Sequence, residues 1–171
     1  TTPGSRCRSC AHGSHGPSLL HSEAATAALG ITLPVIVMGG AQIVDPLSGD
    51  VLYSNPLPCH QVPAAVHMLT AAGLQPILYA NTVNSRNLLT GPAEHDSPPM
   101  RRYTATRLDL LQRLTHTDLA LIEEPLELAA VDDLPRIQQV AETMALESCR
   151  SLITYSRAID GYFLEVFHAT C

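Results

Sequence analysis

The sequence predicts an α+β domain, built as a mixed or antiparallel sheet with helices on one face. Two observations carry this. Short apolar runs of strand length alternate with longer stretches whose apolar residues recur at three-and-four spacing. Turn chemistry joins some of the short runs directly: residues 45–50 (DPLSGD) and Asp160-Gly161 suit hairpins. The resulting order is helix, strand, hairpin, helix, two strands, helix, strand, helix, hairpin, which places the helices together against one sheet.

The elements follow in chain order. Residues 1–17, dense in Gly, Ser and Pro, read as irregular. A helix is predicted from Ser18 (its N-cap) to a stop at Gly30, with Leu19, Leu20, Ala24, Ala27 and Ala28 on one face. Residues 34–38 read as a buried strand, broken by Gly39 and Gly40, and the hairpin follows. Residues 58–72 form a helix on Val62, Ala65, Val66 and Leu69, with Pro63 in the tolerant first turn and Gly73 as stop. A strand is predicted at 75–80 and a long loop at 81–100, holding one short strand around Leu88. Then come a helix at 103–114, a strand at 119–123, a helix at 133–146 and half-buried strands at 151–155 and 162–167.

Composition narrows the function classes. At 46% apolar and 15% charged residues, the 171-residue chain can bury a core of its own. The net charge is −6 and all ten basic residues are Arg, so no basic face for nucleic acid is expected. Without lysine, neither a Schiff base nor a Walker-type phosphate contact can come from this chain. Apolar runs stay short of the roughly 18–20 residues a bilayer requires, and a soluble, cytoplasmic protein without membrane partners is the expectation. Five cysteines without a framework spacing point to reduced thiols.

The segment PVIVMGGAQIVDPLSGDVLYSNPLP, then a helix, then GLQPILY, resembles the entry into the cap of Cof-type phosphatases of the haloacid-dehalogenase (HAD) superfamily. The tail GYFLEVFHATC is similar to the strand that leaves that cap, and the resemblance spans residues 18–170. It implies that residues 17–40 are a helix and strand left from a Rossmann-like α/β core, that 41–167 form the substrate-specificity cap, and that 168–171 begin the return to the core. Residues 1–16 stand outside the pattern, as a non-native stretch would. Where the family has its Thr-Gly-Arg phosphate motif the chain reads CAHGSHG, and Gly39 replaces the family's Asn. The implied chemistry is Mg²⁺-dependent hydrolysis of small phosphorylated metabolites, such as sugar or cofactor phosphates. Its Asp-x-Asp pair and phosphate-binding Lys are absent from this sequence, so the chain alone is expected to be inactive, with no catalytic residue and no metal ligand of its own. The alternative is a non-catalytic binding or oligomerisation domain, self-associating through the surface that would otherwise face the core.

Several residues are candidates for a site within that frame. Gly39 and Gly40 read as a hinge, where glycine absorbs backbone rotation. Tyr79, Asn81, Asn84 and Arg86 offer hydrogen bonds and one charge near a strand end, and are the expected substrate contacts. Cys7, Cys10, His12 and His15 crowd four potential ligands into nine residues, too close for an ordinary structural zinc site. Glu123, Glu124 and Glu127 read as solvated carboxylates around Pro125. His60, His67, His95, His116 and His168 read as dispersed surface or packed histidines.

Overall fold

The computed structural model describes residues 28–80 and 87–171. Its strands fall into two sheets. Strands β1 (Val35–Val37), β2 (Gln42–Val44) and β3 (Val51–Ser54) make a three-stranded antiparallel sheet in that order. The second sheet has six strands in the order β6-β5-β4-β7-β9-β8: β4 (Pro76–Ala80), β5 (Leu88–Thr90), β6 (Leu111–Arg113), β7 (Pro125–Asp132), β8 (Cys149–Ser156) and β9 (Gly161–His168). Only the β5–β6 pair among them is parallel. The expected α+β class with a mixed sheet therefore holds.

The expectation of a single sheet fails. Residues 41–167 do not share a single sheet, because β2 pairs with β1 on one side and β3 on the other. The reason is local. A tight turn at Met38–Gly40 sends the chain straight back, so Val37 faces Gln42 before the sequence reaches the larger sheet. The Asp45 turn then closes the hairpin: its carboxylate accepts from Leu47 N at 2.8 Å, and its own N–H donates to Asp50 O at 2.9 Å.

Among the described residues, four helices flank the six-stranded sheet: α1 (Val62–Ala71), α2 (Pro98–Ala105), the single turn α3 (His116–Leu119) and α4 (Leu134–Thr143). Helices α1, α3 and α4 bury Val66, Leu69, Leu119, Ile137 and Val140 on one face, against Leu78, Leu128, Ala130, Leu164 and Val166. The alternation of β-strand side chains sends Ile77, Ala129 and Val131 to the opposite face, where α2 covers them with Met100 and Tyr103. Helix α2 reaches only part of that face, and its place there overturns the expectation of helices on one face only, because the opposite strand parity is apolar as well and needs its own cover. Arg136 of α4 ties the layers together, pairing with Asp132 at 2.6 Å and donating to Gly73 O at 2.8 Å, one of the carbonyls just past the end of α1.

Two boundaries depart from the sequence reading. The helix predicted at 103–114 lies at Pro98–Ala105, because Ser97 caps it and two prolines occupy its first turn. The strand predicted at 119–123 is a helical turn capped by Thr115 and its continuation. The strand proper starts at Pro125, where the missing N–H falls at a strand's first residue.

Candidate functional site

The part of the sheet that α2 leaves open forms the floor of a cleft of about 280 Å³. Its floor is set by register. Tyr79 on β4 stands opposite Glu127 on β7, Ala129 opposite Glu165 on β9, and Val131 opposite Phe163. All of these lie on one face, so Glu127 and Glu165 are diagonal neighbours across two adjacent strands. Tyr103 and Arg107 wall the cleft from α2 and the turn after it, and Met38 reaches it from the turn between β1 and β2.

Burial controls the chemistry of this floor. Glu127 is only 6% exposed. Its carboxyl is held well above its ordinary value, first by burial and then by the nearby charge of Glu165. The Tyr79 hydroxyl, bonded to that of Tyr103, is pushed well above its ordinary value by burial, then by Tyr103 and Glu127. Burial also raises Tyr103. Both phenols are therefore neutral hydrogen-bonding groups, with the Tyr103 ring packed edge-on to Phe163 at 5.2 Å. Arg107 lays its guanidinium over Tyr103, 4.0 Å from the ring centroid, and donates to Tyr103 O at 3.2 Å and Thr106 Oγ1 at 2.8 Å. Glu165 accepts from Thr154 Oγ1 at 2.9 Å.

The turn beside the cleft is unusual backbone. Met38, Gly39 and Gly40 all have positive φ, at 52°, 58° and 103°. The end of the chain lies against it: Phe167 packs on Gly39, Cys171 lies close to Gly40, and Arg150 donates to Gly39 O at 3.1 Å. Asn55, which follows β3, donates to Thr170 Oγ1 at 2.9 Å. The chain thus runs out of the three-stranded sheet and back towards it along neighbouring paths.

Of the predicted substrate contacts, Tyr79 lies in the cleft, while Asn81, Asn84 and Arg86 fall outside the described residues. So do Cys7, Cys10, His12 and His15. Glu123, Glu124 and Glu127 do not act as a group. The first two precede β7 and border a separate cleft of about 310 Å³ with Asn55 and His168, and only Glu127 enters the sheet. This corrects the reading of Glu127 as a solvated carboxylate: strand alternation turns it into the floor of the cleft, where it is buried. Two of the histidines meet, His95 and His116, with ring centroids 5.4 Å apart. Burial and then His95 lower the His116 pKa, and its Nε2 lies 2.8 Å from Gln75 Oε1. Cys149 and Cys171 are free thiols, whereas Cys59 is disulfide-bonded, against the expectation of reduced thiols throughout.

The chain has the fold of haloacid-dehalogenase-like hydrolases. A haloacid dehalogenase-like hydrolase from Bacteroides thetaiotaomicron aligns over 89% of this chain and 54% of its own, with TM-score 0.66 and 14% identity. One from B. subtilis aligns over 89% and 59%, with TM-score 0.63 and 11% identity. A HAD subclass IIB sugar phosphatase aligns over 85% and 50%, with TM-score 0.60 and 14% identity. The chain spans between half and three-fifths of the length of these structures. No family model and no curated protein matches the sequence.

The described residues offer no seat for the Mg²⁺ that the resemblance implies. No three His, Cys, Asp or Glu side chains converge among them. Nor is any described helix long and apolar enough to cross a membrane.

Proposed function

We propose that this chain is the substrate-selecting cap, with an adjoining strip of core, of a phosphatase that acts on small phosphorylated metabolites. The observation that carries the reading is the position of the cleft: it opens beside Met38, at the joint between the two sheets, on the face that α2 leaves bare. A cap closing there would seat a leaving group against Tyr79, Tyr103, Glu127 and Glu165 and exclude water from it. Gly39 and Gly40 serve as the hinge, and the family's Mg²⁺ and its phosphate contacts belong to residues that this sequence does not supply.

The test has two arms. The 171-residue chain, with Mg²⁺ and an aryl phosphate, is expected to show no turnover, since it lacks the Asp-x-Asp pair and any lysine. A chain extended to include such a core is expected to hydrolyse phosphomonoesters, with selectivity that changes when Glu165 is replaced. Turnover by the 171-residue chain that disappears on mutating one of its own residues would overturn the reading.

A further inference from the structure

On the reading that the cleft holds a leaving group, we propose that it selects one bearing a protonated amine, with the ammonium seated between the Glu127 and Glu165 carboxylates. Both carboxylates line one small cavity, on adjacent strands and on the same face. Glu127 is more than nine-tenths buried, yet it has neither a hydrogen bond nor an ion pair among the described residues. A buried carboxylate without a donor is costly, and most native carboxylates at this depth have a partner. Here the partner is left to the ligand.

The cation that could have served is already committed. Arg107 lines the cleft, but its guanidinium stacks on Tyr103 and donates to Tyr103 O and Thr106 Oγ1. Glu165 receives one hydrogen bond, from Thr154 to its Oε2. An ammonium would supply three donors and a compact charge, enough to bridge both acids. The aromatic lining suits the same guest, since rings such as those of Tyr79 and Phe163 attract cations. An anionic leaving group would instead meet two carboxylates. The volume, about 280 Å³, admits only a small molecule.

The experiment compares two probes that differ at one group, D-glucosamine and D-glucose, titrated at pH 7 into the 171-residue chain and followed by NMR. Glucosamine is expected to bind roughly tenfold or more tightly than glucose, and Glu127→Gln and Glu165→Gln each to remove most of that advantage. Far-UV circular dichroism of both variants checks that they fold. Because Glu165 is less enclosed than Glu127, its variant keeps the test open should Glu127→Gln perturb the sheet. Equal binding of the two sugars, binding of neither, or an advantage that survives in both variants would overturn the proposal. Failure of the phosphatase reading looks different: the extended protein would hydrolyse no phosphomonoester while the amine preference of this chain remained.

Discussion

The ring of Phe167 lies where a side chain on residue 39 would have to go. A Cβ built on Gly39 would overlap Cε1 and Cζ of that ring and stand 2.8 Å from Cδ1, and φ there is +58°. Two independent penalties therefore fall on Gly39→Ala: a left-handed backbone that Ala adopts reluctantly, and a collision with β9. The expected loss is roughly 2–4 kcal/mol, read from urea unfolding midpoints. Adding Phe167→Leu should recover the collision share and leave the backbone share. A Gly39→Ala variant as stable as wild type would mean that Phe167 does not hold this turn.

A second prediction concerns the ion pair beneath the β5–β6 edge. Arg113 donates to both oxygens of Asp96, at 3.0 and 2.5 Å, and Gln75 Nε2 adds a third bond to Oδ1 at 3.1 Å. The Asp96 side chain is only 1% exposed, whereas that of Arg113 is 27% exposed. Asp96→Ala would strand two donors, one of them charged, and is expected to destabilise by about 3 kcal/mol. Asp96→Asn keeps one acceptor and should lose less. Thermal unfolding of the two variants side by side measures the difference, and equal, negligible losses would show that the pair is solvated.

Much of this architecture is written locally in the sequence. The hairpin at 45–50, the helix on Val62, Ala65, Val66 and Leu69, and the Asp160-Gly161 turn each rest on spacing or turn chemistry within a dozen residues. Sequence and structure part where one signal serves two readings. Leu119 to Ile122 is an apolar run of strand length, but the hydroxyl of Thr115 accepts from Asp118 N at 3.1 Å and starts a helical turn. The strand itself begins at Pro125, two residues past the end of the predicted one. The cleft was legible only in part. Tyr79 stood out as a polar residue at a strand end, whereas the convergence of Glu127 with Glu165 depends on the β7–β9 register. Nothing within either strand encodes that register. The available signal was parity: Glu127 shares a strand face with Ala129 and Val131, and Glu165 with Phe163 and Phe167.

The third prediction is a change of stability with pH that traces to Glu127. Facing it across the cleft are Glu165, the neutral phenols of Tyr79 and Tyr103, and Arg107. Its carboxyl binds a proton more tightly in the fold than in the unfolded chain, whose reference value is 4.5, because burial and Glu165 both disfavour the anion. The sign follows from linkage. Below pH 4.5 both states are protonated and the contribution to stability is complete. As pH rises above 4.5 the unfolded chain ionises while the folded one resists, so stability is lost until the pH passes the raised folded value. Glu127→Gln removes this titration while keeping the shape. The difference in unfolding free energy between variant and wild type should therefore be smallest at pH 4 and grow in favour of Gln towards pH 8. Urea unfolding at four or five pH values across that range supplies the curve. A flat difference would mean that Glu127 ionises as freely in the fold as outside it. A difference that grows in favour of wild type would mean that the anion has found a stabilising partner in the folded chain. Saturating glucosamine should act in the opposite direction to burial, favouring the anion and flattening the wild-type curve above pH 4.5.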